Sequence, residues 1–144
     1  MKHLPAIGLL FLLLACSTDP EPIAYGTDAC HTCKMTLMDK KFGAELVTQK
    51  GKVYKFDDVN CMLTFYNAPE NNSEKFAHRL VVDFMQPGML ISVGDAYFIK
   101  SPEIKSPMAS QIAAFGSEAG MNKMKQEWDG IYLVWGEVVT QFKK

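Results

Sequence analysis

The chain has 144 residues, a formal net charge of −1 and a composition that is 48% hydrophobic and 22% charged. No basic stripe or arginine-rich face is present, which excludes a nucleic-acid surface. The length suits one compact domain, or two very small units sharing a core.

The amino terminus reads "MKHLPAIGLLFLLLACSTDPEP". Lys2 is followed by an apolar run that is far shorter than the roughly 20 residues a spanning helix needs. Residues 1–15 therefore read as an export signal. "LLAC" resembles the lipobox of bacterial lipoproteins. That resemblance implies cleavage before Cys16, a diacylglycerol on its thiol and fatty acylation of its new amine. Residues 16–27, with two prolines, read as a tether. The folded part is then expected to face the periplasm from a membrane. Ser17 after the lipidated cysteine favours the outer membrane over the inner one.

Further along, Phe42 to Thr48 and Lys52 to Phe56 are strand-like, with Gln49-Lys50-Gly51 as the turn. Asp57 or Asp58 is a good N-cap for a helix ending near Asn67, because Val59, Met62, Leu63 and Tyr66 fall on one apolar face. "HRLVVDFMQP" is expected as a strand ending in a Pro87-Gly88 turn. "MLISVGDAYFIKS" is expected as two strands paired around Gly94-Asp95. Met108, Ile112, Phe115 and Ala119 recur at helical spacing, so a helix opened by Pro107 is expected there. "NKMKQEWDG" reads as a further helical piece or linker. Ile131–Trp135 and Glu137–Phe142 read as a final strand pair.

This order gives an α+β fold of two tandem ββαβ units with mainly antiparallel sheets. The units are placed at about residues 28–87 and 88–144 of one domain. No Gly-rich phosphate loop, GxSxG or HExxH occurs, so no catalytic constellation is visible and an enzyme is not expected.

The chemistry concentrates in "DACHTCKMTLMD". With Cys16 taken by lipid, Cys30, Cys33 and Cys61 are an odd number of thiols for an oxidising compartment. Cys30 and Cys33 could close a disulfide, act as a redox pair, or converge on an ion with Met35. Thiolates and thioethers select Cu(I), whereas a structural zinc site needs four protein ligands and only one CxxC is present. A thioredoxin-type pair sits at a helix N-terminus, and here the motif precedes a hairpin.

"CHTCKM", "YKFDDVNCM" and "AYFIKSPEIKSPM" together resemble the NosL family, the accessory lipoproteins of nitrous oxide reductase. The resemblance covers most of the mature chain. It implies a Cu(I) chaperone that serves nitrous oxide reductase or its maturation complex. Cys30, Cys33 and Met35 match the family's CxxCxM, and Met108 matches the methionine of its SPM segment. Asp57 and Cys61, with His31 inside the motif, stand as supporting or additional ligands. Lys34 occupies a position where many members have glycine. The alternatives are a thiol–disulfide oxidoreductase and a structural lipoprotein stapled by a CxxC disulfide. Asp57 or Asp58 is most simply a cap, Cys61 an inert thiol and Met108 a core residue. Met38, Met85 and Met89 are read as packing or rim residues, and Trp128 and Trp135 as anchors.

Overall fold

A computed structural model describes residues 17–71 and 75–143. The expected export signal, residues 1–15, and the expected lipidation site Cys16 lie outside the described residues. Among the described residues no helix is long and apolar enough to cross a membrane.

Among the described residues, two antiparallel sheets and three helices make up an α+β fold. The first sheet begins with a hairpin of β1 (Ala44–Thr48) and β2 (Val53–Phe56). The chain then enters α1 (Val59–Tyr66) and returns as β3 (Phe76–Val82), which pairs with β1. Helix α1 starts where the sequence predicts. The Asp58 carboxylate accepts the Asn60 N–H, the usual cap geometry. Val59, Met62 and Leu63 face inward and are buried. Phe56, Met62 and Leu63 are fully buried, each stabilising the fold by about 1.5–3 kcal/mol relative to exposure.

Three expectations are corrected beyond this point. The strands β4 (Leu90–Ser92) and β5 (Tyr97–Lys100) do not pair with each other. Strand β4 turns back at Pro87-Gly88 and pairs with β3, giving the order β2-β1-β3-β4. Strand β5 is the centre of the second sheet, with both Phe98 and Ile99 fully buried. A strand covered on both faces is held by distant partners, which a local Gly-Asp turn signal does not reveal.

The helix expected from Met108 is absent. Ala109 and Gln111 have left-handed φ values of 55° and 58°, which no helix interior tolerates. Ile112–Phe115 is instead strand β6, buried at all four positions, and pairs with β5. Helix α2 (Glu118–Glu127) follows, its first turn capped by the Ser117 hydroxyl accepting from the Gly120 N–H.

The final strand pair is also corrected. Only β7 (Ile131–Leu133) is a strand, and it pairs with β5. Trp135–Gln141 forms helix α3, with the Glu137 carboxylate accepting the Val134 N–H at 2.9 Å. That bond fixes the first turn and outweighs the strand preference of Val138-Val139-Thr140. Val138 is fully buried and ties α3 to the core.

The segments β1-β2-α1-β3 and β5-β6-α2-β7 thus share one element order and one strand order, with β4 and α3 appended. A bridge between Asp83 and Ala114 and a 2.8 Å bond from Phe84 N–H to Ala114 O join the two sheets.

Candidate metal centre

The CHTCKM segment folds as a tight loop. Ala29 and Thr36 form an isolated bridge. Inside it the Cys30 N–H donates to Met35 O at 2.8 Å and the Lys34 N–H to Cys30 O at 3.0 Å. Closing the loop requires a left-handed residue, and Lys34 takes φ 67°. Glycine would meet that demand without steric cost. The Lys34 ammonium donates to His31 O across the loop.

Two bonds fasten the loop to the first unit. The His31 N–H donates to Lys55 O on β2 at 2.8 Å. The Thr32 hydroxyl donates to Cys61 O on α1 at 2.9 Å. The CxxC pair is therefore carried by a hairpin loop packed beside α1, and neither cysteine opens a helix.

Four groups converge there. The sulfurs of Cys30, Cys33 and Cys61 and a carboxylate oxygen of Asp57 all lie within 4.8 Å of one another. Cys30, Cys61 and Asp57 are buried, and Cys33 is half-buried. All three cysteines are free thiols. The Cys33 thiol donates to Asp57 Oδ2 at 3.4 Å, while Asp57 Oδ1 is buried without a hydrogen-bond partner. A buried oxygen left in that state costs free energy unless something else engages it.

The three sulfurs are electrostatically unequal. The Cys61 thiol donates to Cys30 and lowers its pKa to about 6, against the opposing effect of burial. The amides of Cys33, Asp57 and Thr32 also point at that sulfur. Cys61 is pushed up by the same hydrogen bond and by burial. Burial raises Cys33 as well, and the neighbouring Cys30 and Asp57 add to it. Cys30 is therefore the sulfur of the three whose thiolate is most favoured, with Cys33 and Cys61 pushed toward the thiol form. Thiolate sulfur is the form that takes a soft metal.

The remaining residues singled out in the sequence fall in three places. Met108 is held at the edge of α1. Its N–H donates to Asp58 Oδ2 at 3.0 Å, and its carbonyl accepts from the Asn60 side-chain amide at 2.8 Å. Its half-buried side chain packs on the core cluster that contains Cys30 and Cys61. Met35 points outward, 55% exposed. His31 is in neither group. Its ring stands edge-on to Tyr54 and Phe65, with centroids at 4.6 and 5.0 Å. Burial, then Lys34 and Lys52, holds its pKa below the usual imidazole value.

Asp58 and Asn60 were not singled out as site residues. Asp58 caps α1 with one oxygen. With the other it accepts the N–H groups of both Met108 and Ser110, the latter at 3.2 Å. The only signal in the sequence was the doubled aspartate before α1: one carboxylate faces the thiols while the next grips the SPM loop.

A two-sheet α+β frame that brings three thiols and a buried carboxylate together defines a protein with a cluster able to coordinate a metal ion. The chain belongs to the NosL family, whose sequence model matches residues 23–142. Its fold is similar to a crystal structure described as the copper chaperone NosL from Shewanella denitrificans. That similarity has a TM-score of 0.71 at 20% identity, covering 84% of this chain and 96% of the other. No curated protein matches the chain.

Proposed function

We propose that this chain is a lipid-anchored Cu(I) carrier, facing the periplasm from Cys16, that passes copper to nitrous oxide reductase during its maturation. The observation that carries this reading is the convergence of three thiols and Asp57 within 4.8 Å. Cys30 and Cys33 are the principal ligands. Cys61 is within reach as a third, and Met108 offers a thioether from the loop held by Asp58. Soft sulfur donors select Cu(I) over hard cations.

Charge favours a monovalent cargo. Cys30 is the sulfur whose ionised form the surroundings favour, so its thiolate is the first to balance Cu(I). Cys33 then loses its proton as it ligates, and Asp57 Oδ2 already accepts that S–H. Metal binding is therefore coupled to proton release.

Release follows from unequal exposure. Cys30 and Cys61 are enclosed, and Cys33 is the one sulfur of the cluster that is partly open. An incoming partner thiolate, thioether or imidazole engages the ion from the Cys33 side before the inner ligands let go. Met35, exposed two residues further on, lies on that outward loop and offers a transient thioether.

Anaerobic titration of the reduced protein with Cu(I), against a competing chelator, tests the reading. One ion should bind, and Cys30→Ser/Cys33→Ser should abolish tight binding. Equal affinity in the double variant and the parent would refute the placement. Transfer to copper-free nitrous oxide reductase, followed by the reductase's visible spectrum, tests the recipient.

A further inference from the structure

The tip of the β1–β2 hairpin lies against the start of the described chain. Gly51 takes φ +80° in the turn. A Cβ built on it would sit 2.3 Å from Ser17 O. The Ser17 backbone therefore rests directly on Gly51, with no room for a side chain between them. Cys16 immediately precedes Ser17 in the chain.

The tip is basic although the chain as a whole is slightly acidic. Lys50 and Lys52 flank Gly51, and both are exposed. Lys75 is exposed beside them, fixed by a 3.0 Å bond from the Gln49 N–H to its carbonyl. These lysines line a cleft of about 520 Å³ floored by Tyr54, and the Lys52 ammonium stands 4.7 Å from the Tyr54 ring centroid. The turn itself is rigid: Thr48 N–H donates to Lys52 O at 2.9 Å, and Gly51 N–H to Thr48 O at 3.0 Å.

We propose that this hairpin tip is a membrane-docking surface, with Lys50, Lys52 and Lys75 resting on anionic lipid headgroups. The proposal rests on the anchored reading of Cys16. Acyl chains on Cys16 would enter the hydrocarbon, so Ser17 and the Gly51 turn packed on it must sit at headgroup level. Lysines at that level are attracted to anionic lipid, and a tyrosine ring suits the interface. The docking also sets the height of the thiol site. From Lys52 through strand β2 to Asp57 the chain makes five steps, about 16 Å at 3.3 Å per residue. The Cys33 side of the cluster is thereby held clear of the lipid, where a soluble partner can reach it.

Lysine acetylation read by mass spectrometry tests this on the full, natively acylated chain. The protein is reconstituted in phosphatidylcholine vesicles with or without phosphatidylglycerol. Lys50, Lys52 and Lys75 should each lose about five-fold in reactivity on the anionic vesicles and regain it at high salt. Lys123 and Lys125 on α2 should not change. Equal reactivity of all five lysines, or protection of the α2 pair instead, would overturn the proposal.

The mass of the N-terminal peptide reports separately whether Cys16 carries lipid. If it does not, a Cys16→Ser chain held to chelating-lipid vesicles by an N-terminal histidine tag is footprinted in the same way and judged by the same outcomes. The Lys50→Glu/Lys52→Glu/Lys75→Glu variant should lose its preference for anionic vesicles and keep its Cu(I) titration.

Discussion

The Asp58 carboxylate accepts the backbone N–H of Met108 at 3.0 Å, joining the cap of α1 to a loop 50 residues away. The same side chain serves Asn60 and Ser110. Replacing Asp58 with Ala removes a cap and strands two partly or fully buried donors. The expected cost is about 2–4 kcal/mol, read as a shift in the urea midpoint. Loss of the loop's grip should also weaken Cu(I) binding by about ten-fold, the low end for a supporting group. Met108→Leu should reproduce the affinity loss and leave stability nearly unchanged, because the swap conserves volume. An unaltered chelator competition in both variants would remove Met108 from the site.

Cys61 and Cys30 form a donor–acceptor pair in which the first lowers the pKa of the second. In Cys61→Ala the donor is gone, so the Cys30 protonation midpoint should climb from about 6 toward the ordinary thiol range. Thiolate ultraviolet absorbance against pH measures this directly. Cu(I) affinity at neutral pH should fall by about ten- to a hundred-fold. An unmoved midpoint would show that the amides of Cys33, Asp57 and Thr32 suffice alone.

Lys34 occupies a left-handed position that L side chains adopt at a cost of about 1–2 kcal/mol. Glycine avoids that cost but frees the unfolded chain, so Lys34→Gly should raise stability by a net ~0.5–1 kcal/mol. Thermal unfolding of the reduced, metal-free protein is the measurement. A fall in Tm would mean that the ammonium bond to His31 O contributes more than the backbone loses.

His31 yields a pH dependence with a definite sign. Its folded pKa is below the usual 6.5, first through burial and then through Lys34 and Lys52. Below pH 6.5 the unfolded chain therefore binds more protons than the folded one, and stability falls as pH falls. The loss begins near pH 6.5 and is complete once the folded imidazole titrates. Urea midpoints of the metal-free protein should decline through this window. His31→Phe, which keeps a ring among Tyr54 and Phe65, should flatten the decline. Parallel slopes in the two proteins would place the pH dependence elsewhere.

The first half of the molecule was legible in the sequence because its signals are local. A hairpin turn, an Asp cap and four apolar residues on one helix face lie within 26 residues, from Phe42 to Asn67. Cys30 and Cys33 were legible for the same reason, three positions apart in one loop. The second half misled because its order is imposed from a distance. Ile112 and Phe115 share a helical spacing with Met108, yet they lie in a four-residue strand covered on both faces. Val138-Val139-Thr140 prefers a strand, yet the Glu137 bond to Val134 N–H and the burial of Val138 accompany a helix there. Cys61 looked like an inert thiol because nothing in the sequence says that Thr32 will pull the CxxC loop onto its carbonyl. The packing of His31 was not legible because its ring neighbours Tyr54 and Phe65 are far along the chain.

The donors surrounding the Cys30 sulfur come from separate stretches: Thr32 and Cys33 in its own turn, Asp57 and Cys61 at the mouth of α1. A synthetic peptide spelling CHTCKM would carry the same letters and lack half of that surround. Its first thiol would remain protonated in neutral buffer, and it would capture copper only as any dithiol does. The hexapeptide is therefore not a portable cassette. Anyone grafting it into another scaffold must carry the "DDVNC" turn with it.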